Sequence, residues 1–325
     1  MAEALGLDYW LQWQVLVCAL IILIPAVISL NLTIKTSKKQ VHQKLKSCDL
    51  WLPCWKNLHP KWLLLYRVIA FCFMALLLCQ TMVSFGPFIF FYYTQWTVAL
   101  VLVYFMIGII VSARGCWIYF KEPFGRVEDR EMLVAKDYSK NAHESTTDIK
   151  DVGAINSIQQ EAGALENLMQ SIYHACGGAV MLTDLVFWFI LQPLSGDTLT
   201  ILLGLLHSVN VVFLVLDSAF NNHPFPWSNF TYFVLWSCAY VISQWTVHVF
   251  GVVTWWPYPF LELDTPWAPA WYFGLALFHI PCYGLYSLLI KAKDFILSRM
   301  SPRTYSSLPS ESTEMNIAWS MDNTQ

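Results

Sequence analysis

The chain has 325 residues, of which 57% are hydrophobic and only 13% are charged, and its formal net charge is −3. A soluble domain carries about 25% charged residues, so this composition excludes an ordinary soluble fold. No basic pattern of the kind that binds nucleic acid is present. The nine cysteines include no CxxC pair, so we expect no zinc site, no other metal or cofactor, and no disulfide framework.

Seven apolar stretches are long enough to cross the bilayer core, which takes about 20 residues of helix. We predict an all-α, polytopic transmembrane bundle of about seven spans, in which an extra N-terminal helix precedes a six-helix core. The predicted spans are Trp13–Ile34, Trp62–Phe85, Phe88–Tyr119, Gln170–Gln192, Leu199–Phe220, Ser228–Phe250 and Trp267–Ala292.

The positive charges indicate how the spans are oriented. Lysines at 35–61 follow the first span, Arg67 lies just inside the second, bases at 114–150 surround the loop after the third, and bases at 291–303 follow the seventh. Cytoplasmic loops carry an excess of Lys and Arg. We therefore predict an outer or lumenal N-terminus and a cytoplasmic C-terminus, in the plasma membrane or an endomembrane. Arg67 should snorkel towards the cytoplasmic face.

These segments divide the chain into three parts. Residues 1–61 contain the N-terminal helix and a Lys-rich cytoplasmic loop. Residues 62–297 form the membrane core, with a mixed-charge cytoplasmic loop at 121–169. Residues 298–325 are rich in Ser, Thr and Pro, and we expect a disordered cytoplasmic tail.

Polar side chains inside the predicted spans are candidates for function, because burying them in a membrane is costly. Several should share the outer half of one cavity, as judged from their depth at 1.5 Å per helical residue. The outer set is Thr94, Asp184, His207, Gln244 and His248, with Gln95 and Asn210 nearby; His174, Asp217 and His279 lie deeper.

Thr94 and His207 form the hydroxyl–imidazole pair at matched depth. A hydroxyl becomes a nucleophile when an adjacent base takes its proton, and histidine is the usual base. Gln95, Asn210 or His248 would then bind the oxyanion or orient the imidazole. The alternative is structural, since an intramembrane Thr usually bonds its own helix backbone and a buried His often links helices.

Several segments carry a family resemblance: VFW at 186–188, HSVNVVFLVLD at 207–217, NHPFP at 222–226, HVFG at 248–251 and WPYPFLE at 256–262. They resemble segments of the androgen-induced family of membrane threonine hydrolases. The wider pattern, with WYFG at 271–274 and HIPC at 279–282, is similar to Rolling-stone-like proteins and their plant transmembrane relatives.

The resemblance implies a six-helix hydrolase core that cleaves fatty-acid esters of hydroxy fatty acids with one Thr and one His. His207 takes the histidine position, ten residues before Asp217, and Thr94 in YYTQW takes the nucleophile position, with Thr97 as the rival hydroxyl. The chain departs from the family in its additional first helix and in Gly204, where the family has a second histidine.

Two function classes follow. The first is an integral membrane hydrolase of lipid esters, whose partners are membrane lipids. The second is a non-catalytic lipid-binding or cell-fusion and adhesion protein, because Rolling-stone-like proteins are linked to cell–cell fusion. A haem carrier is disfavoured because His174 and His279 do not pair in depth, and a seven-helix receptor because no Asn-Pro-x-x-Tyr occurs in the seventh span.

Overall fold

The computed structural model describes residues 6–39, 46–55, 57–121, 161–196, 198–301 and 305. Within these residues the secondary structure is helical, apart from two isolated bridges that pair Lys46 with Glu161 and Trp55 with Tyr305. The predicted all-α fold is confirmed. Most of the loop predicted at 121–169 and of the tail predicted at 298–325 lies outside the described residues.

Eight helices build the bundle. They are α1 (Trp13–Lys39), α2 (Pro60–Phe85), α3 (Tyr93–Lys121), α4 (Ala164–Val186), α5 (Ile201–Leu206), α6 (Val209–Phe220), α7 (Phe230–Val249) and α8 (Ala268–Met300). A π-helical turn, Phe187–Leu191, and a last turn, Gln192–Ser195, extend α4. Short helices Leu7–Trp10 and Cys48–Trp51 flank α1.

Six helical segments of the described chain are long and apolar enough to cross a membrane, with α5 and α6 counted as one. The remaining long helix, α7, has 20 residues and packs against α1 and α4. At 1.5 Å per residue it is about 30 Å long, but its Tyr, Trp, Ser and Gln side chains make it less apolar. The chain is therefore a multi-pass membrane protein, and α7 supplies the helix predicted at Ser228–Phe250.

Two predicted helices differ from the structure. Gly86, with φ 76°, ends α2, and Pro87 opens a 3-10 turn, so α3 begins only at Tyr93. Thr94 consequently lies in the first turn of its helix and not nearly two turns below a start at Pro87. The helix predicted at Leu199–Phe220 is interrupted where His207 and Ser208 leave helical geometry, with φ −106° and −145°.

Helix α4 lies at the centre of the bundle and contacts α3, α7 and α8. Of the 18 residues in its most apolar stretch, 72% are buried. Two adjacent glycines permit this close packing: a Cβ on Gly178 would meet the Phe233 ring at 2.2 Å, and one on Gly177 would meet the Phe225 ring at 2.7 Å. The position of α4 therefore depends on residues without side chains.

The two ends of the bundle differ in chemistry. At the aromatic end, Trp256 Nε1 donates to the Tyr9 hydroxyl at 3.1 Å, and the Trp255 ring lies 6.0 Å from that of Phe91. At the basic end, Lys61 lies over the Phe120 ring, Arg114 pairs with Glu166, and Lys293 donates to the carbonyl oxygens of Ser218 and Asn221.

Arg67 does not snorkel, and that prediction is wrong. Its side chain is fully buried, and Nε donates to Asp217 Oδ1 at 3.0 Å. Nη1 donates to Ser112 Oγ at 2.6 Å and to the Leu50 carbonyl oxygen at 3.0 Å, while Tyr104 donates to Asp217 Oδ2 at 2.5 Å. Asp217 on α6, Ser112 and the Leu50 carbonyl oxygen offset part of the cost of burying the guanidinium group.

Candidate functional site

An internal cavity of about 100 Å³ lies near the aromatic end, between α3, α4, α7, α8 and the loop that joins α7 to α8. Its wall is mainly apolar, and no Asp, Glu, Lys or Arg lines it. The lining residues are Tyr93, Thr94, Leu182, Thr183, Val186, Leu191, Ser237, Tyr240, Val241, Tyr258, Phe260, Leu261, Leu275 and His279.

Thr94 lines this cavity, and within the described residues its hydroxyl makes no hydrogen bond to the turn before it. Thr97, the rival nucleophile, donates to the Tyr93 carbonyl oxygen at 3.0 Å, and Thr183 donates to that of Ala179 at 3.0 Å. Thr94 lies in the first turn of α3, where no preceding helical carbonyl is available. Of these three hydroxyls, that of Thr94 alone makes no hydrogen bond to its own helix backbone among the described residues.

Tyr258, from the loop after α7, lines the cavity together with Thr94. Its ring meets that of Tyr92 edge to face, with centroids 5.6 Å apart, so the loop lies against the start of α3. Burial raises the pKa of the Tyr258 phenol to about 12, although the nearby Thr94 and Tyr93 act in the opposite direction.

The other hydroxyl groups of the cavity wall are engaged by the protein. Tyr93 and Ser237 share a hydrogen bond of 2.8 Å, and Tyr240 donates to the Phe91 carbonyl oxygen at 2.8 Å. His279 Nδ1 lies 2.7 Å from the Leu275 carbonyl oxygen, which can only accept. The neutral His279 ring therefore keeps the lone pair on Nε2.

His207 does not line the cavity. It lies at the break between α5 and α6, where its ring stacks on Phe187 with centroids 3.7 Å apart and planes 3° apart. Its carbonyl oxygen accepts from Trp188 Nε1 at 2.9 Å, while its Nδ1 is buried without a hydrogen-bond partner. Thr94 and His207 share no hydrogen bond among the described residues.

Asp184 and Thr183 connect the His207 region with the cavity. Thr183 lines the cavity, and its hydroxyl lies 3.4 Å from Asp184 Oδ1. The Asn210 amide, three residues after His207, is near enough to interact with the Asp184 carboxylate, although Nδ2 lies outside hydrogen-bond geometry. A line of polar groups thus runs from the cavity wall through α4 to the helix break.

Several predicted site residues carry buried polar atoms without a partner. The described chain has eleven such atoms, and five belong to predicted site residues: Gln95 Oε1, Asp184 Oδ2, His207 Nδ1, Asn210 Nδ2 and Gln244 Oε1. Leaving such an atom unpaired costs about 1–3 kcal/mol, so each is a place where a water or ligand atom would bind favourably.

His248 is held on every side by the protein. Its Nδ1 lies 2.7 Å from the Gln244 carbonyl oxygen, its Nε2 lies 3.0 Å from that of Trp255, and its ring stacks on Trp256 at 3.8 Å. These contacts join the end of α7 to the loop that carries Tyr258. His248 is therefore an anchor of that loop, and neither ring nitrogen is free for an oxyanion.

The chain matches no protein-family model, no curated protein and no solved structure. The similarity to membrane threonine hydrolases therefore rests on the quoted residues alone. No group of three or more His, Cys, Asp or Glu side chains able to hold a metal lies within the described residues.

The sequence analysis did not place Tyr258 or His279 in the wall of the cavity. Depth along a helix carries no information on Tyr258, because that residue lies in a loop, and the WPYPFLE segment was the only signal for it. His279 was placed in the middle of the membrane, and the cavity extends to it. The sequence gives no direct signal of a cavity's extent.

Proposed function

We propose that this membrane protein hydrolyses lipid esters, with Thr94 as the nucleophile. The observation that carries the proposal is that Thr94 lines an apolar cavity and, unlike Thr97 and Thr183, makes no side-chain hydrogen bond to its own helix backbone within the described residues. Ligand cavities are typically apolar with a few convergent polar groups, as this one is. The apolar wall suits an ester group and its neighbouring carbons better than a charged or sugar-like group, and since the cavity is about 100 Å³, the rest of a long acyl chain would extend outside it.

In the proposed reaction Thr94 Oγ attacks the ester carbonyl carbon, and the C–O bond to the alcohol breaks. An acyl-threonine forms, and water then hydrolyses it to the free acid. The resemblance assigns the general base to His207, and the positive dipole end at the start of α3 favours negative charge on the carbonyl oxygen. Gln95, Asp184 and Asn210 each carry a buried polar atom without a hydrogen-bond partner among the described residues.

The first test is covalent labelling of the detergent-purified protein with a fluorophosphonate, which reacts with activated hydroxyl groups. We expect wild type to be labelled at Thr94, Thr94→Ala to be unlabelled, and His207→Gln to be labelled much more slowly, since general-base catalysis contributes about 10²–10⁴-fold. Peptide mapping of the labelled protein identifies the modified residue.

Thr97→Ala is the matched control, because this hydroxyl lies one helical turn away and already donates to a backbone carbonyl. It should label at the wild-type rate. A folded wild-type protein that takes up no label, or a label found on Thr97, would remove Thr94 from the mechanism.

A non-catalytic lipid-binding role is the second candidate, and a specific observation favours it. Thr94 and His207 share no hydrogen bond among the described residues, and His207 stacks on Phe187 and does not line the cavity. In that case the cavity binds a lipid without turnover, and Thr94→Ala binds a fluorescent fatty-acid ester as wild type does. The exposed aromatic residues Trp255 and Trp267 of the adjoining loop would then contact the lipid headgroups or a partner membrane.

We propose that the basic end of the bundle faces the cytoplasm and the aromatic end, with the cavity, faces outward. The contacts that gather Lys61, Arg114 and Lys293 at one end support this orientation. The positive-inside rule then places the α7–α8 loop outside or in a lumen. An N-glycosylation site inserted after Asp264 should be used, and one inserted after Lys121 should not.

A further inference from the structure

The cavity is smaller than a long-chain ester. Its volume is about 100 Å³. An apolar cavity of about 150 Å³ holds one benzene molecule, so this one holds an ester group and only a few carbons. The rest of a long acyl chain has to leave the cavity along an apolar path, because the chain would otherwise lie in contact with water.

The exposure of the wall residues indicates where such a path begins. Most of the lining residues are buried, and the partly exposed ones are Leu191, Val241, Leu275 and His279. Leu191 ends the π-helical turn after α4, Val241 belongs to α7, and the other two lie one turn apart on α8. The cavity therefore approaches the surface of the bundle beside these helices and not beside Thr94, which is buried.

Helix α1 covers the gap between α7 and α8, because it contacts both of them. The Cys238 thiol on α7 lies 3.6 Å from the Ile22 carbonyl oxygen of α1, and Ile22 is buried. Between α4 and α8 the contacts lie towards the basic end. There a Cβ on Gly177 would meet the Tyr286 ring at 2.8 Å, and Ser218 of α6 shares a 2.9 Å hydrogen bond with Tyr286. Towards the aromatic end, the cavity lies between α4 and α8.

The surface around this part of the bundle is apolar. Phe189 and Leu194, which follow α4, are 75% and 73% exposed, and Phe273 and Leu277 on α8 are 55% and 50% exposed. In a membrane protein such side chains face lipid, because exposing them to water is unfavourable. An opening between the end of α4 and α8 therefore leads into the bilayer.

The π-helical turn brings Leu191 into the cavity wall. Leu182 and Val186 are four residues apart and share one face of α4, as α-helical geometry requires. Leu191 comes five residues after Val186, and in a regular α-helix it would point about 140° away from that residue. The π turn Phe187–Leu191 supplies the five-residue spacing that keeps Leu191 on the cavity side. Turns of this kind are frequent at functional sites.

We infer that the cavity opens sideways into the lipid between Leu191 and Leu275, and that the acyl chain of the substrate passes through this lateral opening. The inference rests on the proposed hydrolase function and specifies its substrate, an ester with a long, unbranched acyl chain that enters from the bilayer. The ester carbonyl lies beside Thr94, the first carbons fill the cavity, and the remaining chain runs between the two leucines into the membrane. Leu191 and Leu275 thus determine which chains are accepted.

The test narrows the lateral opening and compares two substrates, p-nitrophenyl butyrate and p-nitrophenyl palmitate, in mixed micelles. The leaving group is the same, so only the acyl chain differs. Leu275→Trp should lower kcat/KM for the palmitate about tenfold or more, the effect of losing the burial of about two methylene groups, and change that for the butyrate little. Leu191→Trp should act in the same way from the other side. Leu277→Trp is the matched control on α8, because that side chain is half exposed and lies outside the wall.

Equal losses on both esters, or a palmitate-to-butyrate ratio that stays at the Leu277→Trp value, would overturn the lateral opening, while fluorophosphonate labelling of Thr94 leaves the hydrolase function standing. If the tryptophan variants fail to fold, Leu275→Ala widens the opening. It should then raise kcat/KM for a methyl-branched palmitate relative to the unbranched ester, and an unchanged preference contradicts the inference.

A wild type that neither labels nor hydrolyses either ester would overturn the hydrolase function but not the opening. Binding of a radiolabelled hexadecyl ether, which cannot be hydrolysed, then decides. It should weaken in Leu275→Trp relative to Leu277→Trp, and equal binding by the two variants would mean that no chain passes between Leu191 and Leu275.

Discussion

Arg67→Met should destabilise the protein by about 3–5 kcal/mol, because it removes one partner of a fully buried ion pair and leaves the other charge uncompensated. Both side chains are fully buried, and Nε lies 3.0 Å from Asp217 Oδ1. Asp217 would keep Tyr104 and Asn221 as donors, at 2.5 and 2.7 Å, but would lose its only positive partner among the described residues. Thermal unfolding in detergent, followed by the loss of monodisperse protein, measures the effect.

Two further variants separate charge from packing. The double variant Arg67→Met/Asp217→Leu should recover part of the loss, since an apolar pair carries no buried charge. Recovery stays incomplete because Ser112 and the Leu50 carbonyl lose their partner. Arg114→Ala removes an ion pair whose arginine side chain is 55% exposed, and we expect the free energy of unfolding to change by less than about 1 kcal/mol. If Arg67→Met unfolded no more readily than Arg114→Ala, the buried pair would contribute nothing.

The Arg67–Asp217 pair illustrates what hydropathy can and cannot predict. Apolar runs predicted the helical bundle, because the length of a bilayer-crossing helix is set by membrane thickness. They also indicated the depth of each polar side chain. They did not indicate how each helix is rotated about its own axis, and that rotation decides which side chains come into contact. Arg67 and Asp217, 150 positions apart in sequence, could therefore not be paired in advance.

In the candidate site, too, some features could be predicted from the sequence and others could not. Thr94, His207 and Asp184 are buried in the structure. The start of α3 was misjudged because Pro87 opens a 3-10 turn before the helix, and neither His207 nor Ser208, where the later helix is interrupted, is a Pro or Gly that would have indicated a break. Whether Thr94 and His207 act together stays a prediction. Tyr258 emerged only once the loop was placed against α3.

Gly178→Ala is expected to be among the most damaging of the conservative changes. Its Cβ would lie 2.2 Å from Phe233 Cδ1, well inside any allowed contact. Phe233 is fully buried and stacks on His279 at 4.6 Å, so it has little room to move. Overpacking of this kind costs about 1–3 kcal/mol, which exceeds the helix preference for Ala of about 1 kcal/mol. Thermal unfolding in detergent should show a lower transition temperature.

The shape of the cavity should change as well. Gly178 sets the distance between α4 and α7, and Thr183 and Ser237 on those helices line the cavity. Fluorophosphonate labelling of Thr94 should therefore slow in Gly178→Ala. Gly274→Ala is the control: a Cβ there meets no atom within 4 Å, so stability should be unchanged or slightly raised. Replacing the opposing ring with a smaller side chain, in the double variant Gly178→Ala/Phe233→Leu, should restore part of the stability. A Gly178→Ala protein as stable as Gly274→Ala would mean that α4 and α7 are not packed at this distance.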